Sequence, residues 1–446
     1  MKPASSTTAL AAAPAAVPLL DLRRQYETIR EDVLAAITRV CDSQGFILGP
    51  EVDALEREIA ALTGASGAVG CASGTEALWL ALVAAGVKPG DSVITTPFSF
   101  FASASAIVRA GATPVFVDVD PGTLNLDAAL VRNSVGRNSI VRNSAVRNSI
   151  PAKRHENLRA VLPVHLYGQC ADMDAFNQLG EEFDLAIVED AAQAIGAEWH
   201  GRGAGSLGVT AAFSFYPTKN LSAYGDAGIV TTNDLEMAEH MRRLRNHGSP
   251  RRYYHEEFGW NGRIDAIQAA VLRVKLVHLG DWNRSRQQHA ATYDRLFAEA
   301  GLTSQGSSNV LSKNVSSEDG SSKDGSSKDG SSKNRSPKNR SANAGQSPVR
   351  LLARTPEATH VFHQYVIRVA RRDELRAFLA ERKIGSEVYY PLPLHLQPAF
   401  SYLGLREGDL PVAEQAARDV LALPMFAELT EAEIRRVVET IADFYS

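Results

Sequence analysis

The chain has 446 residues, 44% of them apolar and 22% charged, the balance of a soluble globular enzyme with room for two or three domains. Its net charge of −4 favours neither nucleic acid nor an anionic membrane surface, and no apolar run reaches the roughly 18 residues of a spanning helix. Three scattered cysteines, Cys41, Cys71 and Cys170, fit neither a disulfide framework nor a zinc site; they point to a reducing, cytoplasmic setting and to no structural metal.

Residues 1–17 are alanine-rich, broken by Pro3 and Pro14, with Lys2 as the one basic residue. They lack the basic start and firm apolar stretch of a signal peptide and read as a disordered extension. Helical patterns at 23–40 and 51–61 are expected to pack on a C-terminal domain or on a partner chain. Strand-like Ala68–Cys71 then leads to a helical stretch at 74–85. Further strand-like runs fall at 92–96, 114–119, 160–165, 185–189, 211–215 and 227–232, with helical stretches at 101–110 and 172–182. This alternation predicts an α/β fold, a largely parallel sheet with helices on both faces, spanning 18–262. Within it, residues 132–150 repeat Arg-Asn-Ser every five residues and read as a mobile surface insertion.

A long helical pattern begins at 263 and runs towards a Ser/Lys/Asp/Asn/Gly-rich stretch at 304–348, where Ser-Ser-Lys-Asp-Gly occurs at 321–325 and again at 326–330. It cannot bury enough apolar surface to order itself and reads as disordered. Beyond it come strand-like Phe362–Val369, a helix at 373–382, a strand at 384–390 and helices near 411–420 and 430–444. Residues 263–446 are therefore expected to form a smaller α+β domain.

The chemistry-bearing residues cluster at strand ends. Asp190 closes the apolar run Leu185–Val188-Glu189, where open α/β sheets place ligand-facing groups. Alone it reads equally as a helix cap, but Gln193 follows three residues on. Lys219 lies on a turn after strand-like Phe213–Phe215, stiffened by Pro217 and followed by Tyr224-Gly225-Asp226-Ala227-Gly228. One lysine and one carboxylate so placed suit pyridoxal phosphate: the amine forms a Schiff base with the cofactor aldehyde, and the acid keeps the pyridine nitrogen protonated. A glutamine can hydrogen-bond the cofactor's phenolic oxygen. Ser73-Gly74-Thr75 opens a helix, and its free N–H groups suit a phosphate, although a plain N-cap explains the triplet as well. Among Phe98, Phe100 and Phe101, a ring could stack on the pyridine; core packing is the other reading. The absence of a Gly-x-Gly-x-x-Gly or Gly-Lys-Ser/Thr motif counts against NAD and ATP.

Together these stretches resemble the DegT/DnrJ/StrS family of pyridoxal-phosphate-dependent nucleotide-sugar aminotransferases. The matching runs include Pro18–Leu22, Gly45–Val52, Cys71–Leu78, Pro163–Gln169, Glu189–Ala194, the Lys219 turn, Gly259–Arg263 and Tyr389–His395. The resemblance implies a type I aminotransferase fold and a homodimer with shared active sites. It implies that Lys219 is the Schiff-base lysine, Asp190 the pyridinium partner and Gln193 the phenolate partner. Gly74, Thr75 and Ser214 would hold the phosphate and Phe100 would stack on the ring. Asn261 and Arg263 would come from the other subunit, to phosphate and to a carboxylate respectively. His165, Tyr390 and His395 would lie near the sugar. Family members with histidine in place of the lysine are dehydratases, so Lys219 implies transamination. The implied reaction takes an amino group from L-glutamate to the keto-deoxysugar of a nucleoside diphosphate, and the Lys-Asn-Leu…Gly-Asp-Ala-Gly context is nearer members that act at C3 than at C4. Amination of a cyclitol or other carbocyclic ketone, or non-catalytic binding by a regulatory protein, are the rival readings.

Overall fold

The computed structural model describes residues 15–140, 157–303 and 347–446. Its strands are β1 Gly67–Cys71, β2 Ser92–Thr95, β3 Thr113–Phe116, β4 Leu158–Leu162, β5 Ala186–Asp190, β6 Glu198–Trp199, β7 Arg202–Gly203, β8 Thr210–Ser214, β9 Gly228–Thr232, β10 Val349–Leu351, β11 Ala358–Thr359, β12 Tyr365–Val369 and β13 Val420–Leu423. The helices are α1 Leu22–Ser43, α2 Pro50–Thr63, α3 Gly74–Ala84, α4 Ala102–Arg109, α5 Ala128–Ile140, α6 Met173–Phe183, α7 Leu235–Leu244, α8 Ala266–Leu276, α9 Leu279–Glu299, α10 Arg372–Glu381, α11 Pro411–Asp419 and α12 Glu431–Tyr445.

Seven strands form the main sheet in the order β1-β9-β8-β5-β4-β2-β3. β9 runs antiparallel to both neighbours, and the contacts from β8 through β5, β4 and β2 to β3 are parallel. The reversal follows from the connection: β8 reaches β9 through the loop 215–227 rather than a helix, and a short loop can only return the chain antiparallel. Burial explains the apolar strands. On β8, Ala211 and Phe213 enter the core on one face while Ala212 enters the core on the other; Ile187 and Val188 of β5 split the same way. With both faces covered, a strand needs apolar side chains at successive positions, so periodicity of two disappears from the sequence.

The C-terminal body holds the antiparallel sheet β10-β12-β13 with α10 and α12. Its core includes Ala290, Tyr293 and Phe297 of α9, whereas Ile264, Ala266, Ala270 and Leu279 pack in the core of the main sheet. We therefore place the border between the two bodies inside α9 rather than at residue 262.

Several expectations change. Residues 384–390 form no strand: Ile384 bridges Val17 and Glu387 bridges Ala422, each singly. The N-terminal segment crosses here, where a Cβ at Gly385 would sit 2.4 Å from the amide of Leu19. The ladder position beside β12 is filled instead by Val420–Leu423, an apolar run whose pattern cannot separate a helix end from a buried strand. Val17 belongs to the fold, not to an extension, since its amide donates to the Lys383 carbonyl at 2.9 Å; residues 1–14 lie outside the described residues. The Arg-Asn-Ser repeat is helical as far as Ile140, because Val131 and Val135 reach the core and Arg132 pairs with Glu182. Residues 141–150 of that repeat, and 304–346 of the second stretch, lie outside the described residues. Helices α1 and α2 pack mainly on α8 and β1 of the large body, with Ile29 and Val33 against Val271.

Candidate active site

Three chain segments end at the same edge of the main sheet: the turn after β1, the last residue of β5 and the loop after β8. They line a cavity of about 630 Å³ that is closed on the other side by residues 363–364, 389–390 and 422–425 of the C-terminal body.

Asp190 is buried at the end of β5, one strand over from Ser214 on β8. The Ser103 hydroxyl donates to its Oδ2 at 2.6 Å and the Ala192 amide to its Oδ1 at 3.2 Å. Burial pushes its carboxyl above the usual range, while the Ser103 bond and Lys219 pull the other way. Lys219 sits in a turn closed by its own amide donating to the Tyr216 carbonyl at 2.8 Å. The loop is pinned at its base where Phe215 bonds Ala227 and Ala223 bonds Phe215, both at 2.8 Å. Burial lowers the Lys219 amine to about 8, against an opposing pull from Asp190.

The first turn of α3 forms the third side. Ser73 caps the helix by accepting from the Glu76 amide at 3.1 Å, so the Gly74 and Thr75 amides are the ones with no partner inside the helix. Glycine is required there: a Cβ at 74 would lie 2.4 Å from the Ser214 Cβ. That close approach puts the Ser214 hydroxyl beside the helix N-terminus, and both line the cavity. Gln193 accepts from the Tyr167 amide at 2.7 Å and donates to the Tyr390 hydroxyl at 3.0 Å. One N–H of its amide is left for another acceptor. Phe100 lines the cavity with its ring 60% exposed, whereas Phe98 is buried edge-on to Tyr390 and Phe101 packs against Phe400.

Other candidate residues lie elsewhere. His165 does not line the cavity; it is fully buried, with Nδ1 accepting from the Ala171 amide at 3.1 Å and Nε2 against Glu189 at 3.0 Å. Glu189 also accepts from the Gly205, Leu207 and Gly208 amides, so His165 completes a buried carboxylate's shell. His395 is likewise withdrawn, buried with Nε2 3.1 Å from Glu414. Asn261 and Arg263 lie outside this cavity: Asn261 is exposed and pairs with the Asn246 backbone, and Arg263 donates to the Asn246 side chain at 2.8 Å. Ser103, His363 and Gln364 were missed. A serine inside a helical pattern carries no signal of its own, and His363 reaches the cavity only because the C-terminal body docks there.

The donor set fits pyridoxal phosphate end to end. Amides and a hydroxyl converge where a phosphate belongs, an amine faces the cavity, and a buried acid has room for a cationic partner that would offset its desolvation. Residues 27–317 and 342–442 match the profile of the DegT/DnrJ/EryC1/StrS aminotransferase family. The chain belongs to this family. A "Pleiotropic regulatory protein" of Geobacillus stearothermophilus is 46% identical across 96% of this chain and 98% of its own. The dTDP-3-amino-3,4,6-trideoxy-alpha-D-glucose transaminase of Streptomyces venezuelae is 40% identical across 96% of each chain. The X-ray structure of S. venezuelae DesV in complex with a ketimine intermediate superposes with a TM-score of 0.80 at 39% identity, covering 97% of this chain and 99% of that one. The enzyme is thus a pyridoxal-phosphate-dependent aminotransferase with an α/β main domain.

The lowered amine of Lys219 has a pH signature. Only the unprotonated amine attacks an aldehyde, so cofactor capture by the apoenzyme is expected to quicken as pH rises through about 8 and then level off. Stopped-flow reconstitution reads this directly. A rate still climbing towards the ordinary lysine value of 10.5 would show the amine to be unperturbed.

Proposed function

We propose that the enzyme moves an amino group from L-glutamate to the C3 ketone of a nucleoside-diphosphate deoxysugar, in amino-sugar biosynthesis. The observation that carries the reading is that Lys219 and Asp190 line one cavity together with the N-terminus of α3, whose free amides suit a phosphate. The names of the relatives support the substrate. Besides the Streptomyces venezuelae enzyme, they include a UDP-N-acetyl-3-dehydro-alpha-D-glucosamine 3-aminotransferase 37% identical to this chain.

Pyridoxal phosphate, when bound, supplies an electron-accepting ring and an aldehyde that carries the amino group between donor and acceptor. In this reading the chain's residues do the rest. The Gly74 and Thr75 amides, with the Ser214 hydroxyl, hold the phosphate, and the α3 dipole adds to that attraction. The Asp190 carboxylate keeps the ring nitrogen protonated, and Ser103 holds that carboxylate in place. Gln193 donates to the phenolic oxygen and Phe100 stacks on the ring. The Lys219 amine, once displaced, moves the proton between the two carbons of the transfer.

The same reading makes the enzyme a cytoplasmic homodimer. Phe258 and Tyr253 are 93% and 79% exposed beside Asn261, an apolar cost that a second subunit would remove. The Arg263 Nε has no hydrogen-bond partner among the described residues. Cys41, Cys71 and Cys170 are all unpaired, and no helix among the described residues is long and apolar enough to cross a membrane. A regulatory role is supported by the names of two relatives, the Geobacillus stearothermophilus protein and the erythromycin biosynthesis sensory transduction protein EryC1 of Saccharopolyspora erythraea, 37% identical to this chain. The two readings part on a single experiment. Glutamate is expected to bleach the yellow holoenzyme to the pyridoxamine form, and a panel of keto-sugar nucleotides to restore the colour, with the aminated product seen by mass. A holoenzyme that glutamate leaves yellow would favour the regulator.

A further inference from the structure

We propose that Asn220, the residue after Lys219, holds His363 in a single tautomer whose free Nε2 accepts a hydrogen bond from a hydroxyl of the sugar substrate. The proposal deepens the aminotransferase reading and rests on it.

The hydrogen-bond pattern decides the tautomer. Asn220 Nδ2 has two hydrogens, and it donates one to Asn283 Oδ1 at 2.9 Å and one to the Val361 carbonyl at 3.0 Å. Asn283 is oriented in turn, because its own Nδ2 donates to the Ile195 carbonyl at 3.1 Å. Two backbone carbonyls therefore leave Asn220 Oδ1 as the atom that meets His363 Nδ1, at 3.2 Å. That oxygen has no hydrogen, so Nδ1 must carry the ring hydrogen. Burial and the nearby charges of Lys219 and Arg286 keep the ring neutral. Nε2 is then a lone pair with no donor among the described residues, on a residue that lines the cavity.

The surroundings keep the ring there. Arg286 of α9 donates to the Phe362 carbonyl at 3.1 Å, the His363 carbonyl at 3.4 Å and the Met425 carbonyl at 3.1 Å, which pins this wall to the helix. A neutral ring with a free lone pair matches a hydroxyl and gives a carboxylate no hydrogen to accept. Both half-reactions use one cavity, so His363 favours the sugar without assisting glutamate.

The two half-reactions separate the claim from a structural role. In His363→Phe holoenzyme, kcat/KM for a dTDP-linked 3-keto-deoxyhexose is expected to fall ~10–100-fold, the size of one unsatisfied hydrogen bond in a site. The glutamate half-reaction should stay within about twofold, and His363→Gln, which restores an acceptor, should recover part of the loss. Asn220→Asp keeps the acceptor for Nδ1 but adds a negative charge that raises the ring's pKa. Its sugar half-reaction should become weak at low pH, where Nε2 is protonated, and rise with pH through an ionisation additional to that of Lys219, one the wild-type profile lacks. Equal losses in both halves for His363→Phe, or an unaffected sugar half, overturn the proposal while leaving the aminotransferase reading intact. A wild-type holoenzyme inert towards glutamate removes that reading, and this proposal with it.

Discussion

Lys219→Ala is expected to leave a folded chain with no visible absorbance from a lysine-linked cofactor and turnover reduced by at least ~10³-fold, within the range general acid–base groups supply. The side chain lines the cavity, and the hydrogen bonds that close its turn come from the backbone, so truncation removes the amine without loosening the loop. Mixed with Asn261→Ala chains, the Lys219→Ala chains should regain activity, because a hybrid dimer would hold one intact site. A coloured Lys219→Ala protein, or hybrids shown to form yet inactive, would refute the lysine and the shared site respectively.

Asp190→Asn should separate binding from chemistry. An asparagine Oδ1 can still accept from the Ala192 amide while its Nδ2 donates to the Ser103 hydroxyl, which turns to accept, so the fold and the lysine link are expected to persist, and the holoenzyme should stay yellow. What is lost is the charge that, in the proposed reading, would keep the ring nitrogen protonated. Turnover in both half-reactions should fall by ~10²–10³-fold, the scale on which one preorganised electrostatic group contributes. Loss of less than about tenfold, some 1.4 kcal/mol of barrier, would mean that the ring nitrogen takes its proton elsewhere. Ser103 bears on the same point. Its hydroxyl supports the ionised acid against the desolvation that pushes Asp190 up.

Much of this site could be read without coordinates because its parts are local. Gly74 opens a helix directly after a strand, Asp190 ends an apolar strand, and Lys219 sits on the turn that follows another. A strand-helix alternation brings such ends to one edge of a parallel sheet by topology alone. The antiparallel β9 was less legible, since its apolar run gives no direction; only the helix-free loop carrying Lys219 does.

The histidines mark the limit. His165 and His395 lie in runs that resemble the family's, yet each turns to a buried carboxylate, Glu189 or Glu414. His363 lies in an ordinary strand-like run and reaches the cavity. The same holds for Val420–Leu423, which became a strand by pairing with the distant Tyr365–Val369, and for Val131 and Val135, which made a helix of a repeat that reads as mobile. The order of residues alone determined the cofactor chemistry and the sheet class and singled out the lysine proposed to serve it, because these follow from turn chemistry and periodicity within a few residues. Tertiary structure decided which side chains face the cavity, since a buried polar group turns towards whichever partner a distant segment brings within about 3 Å.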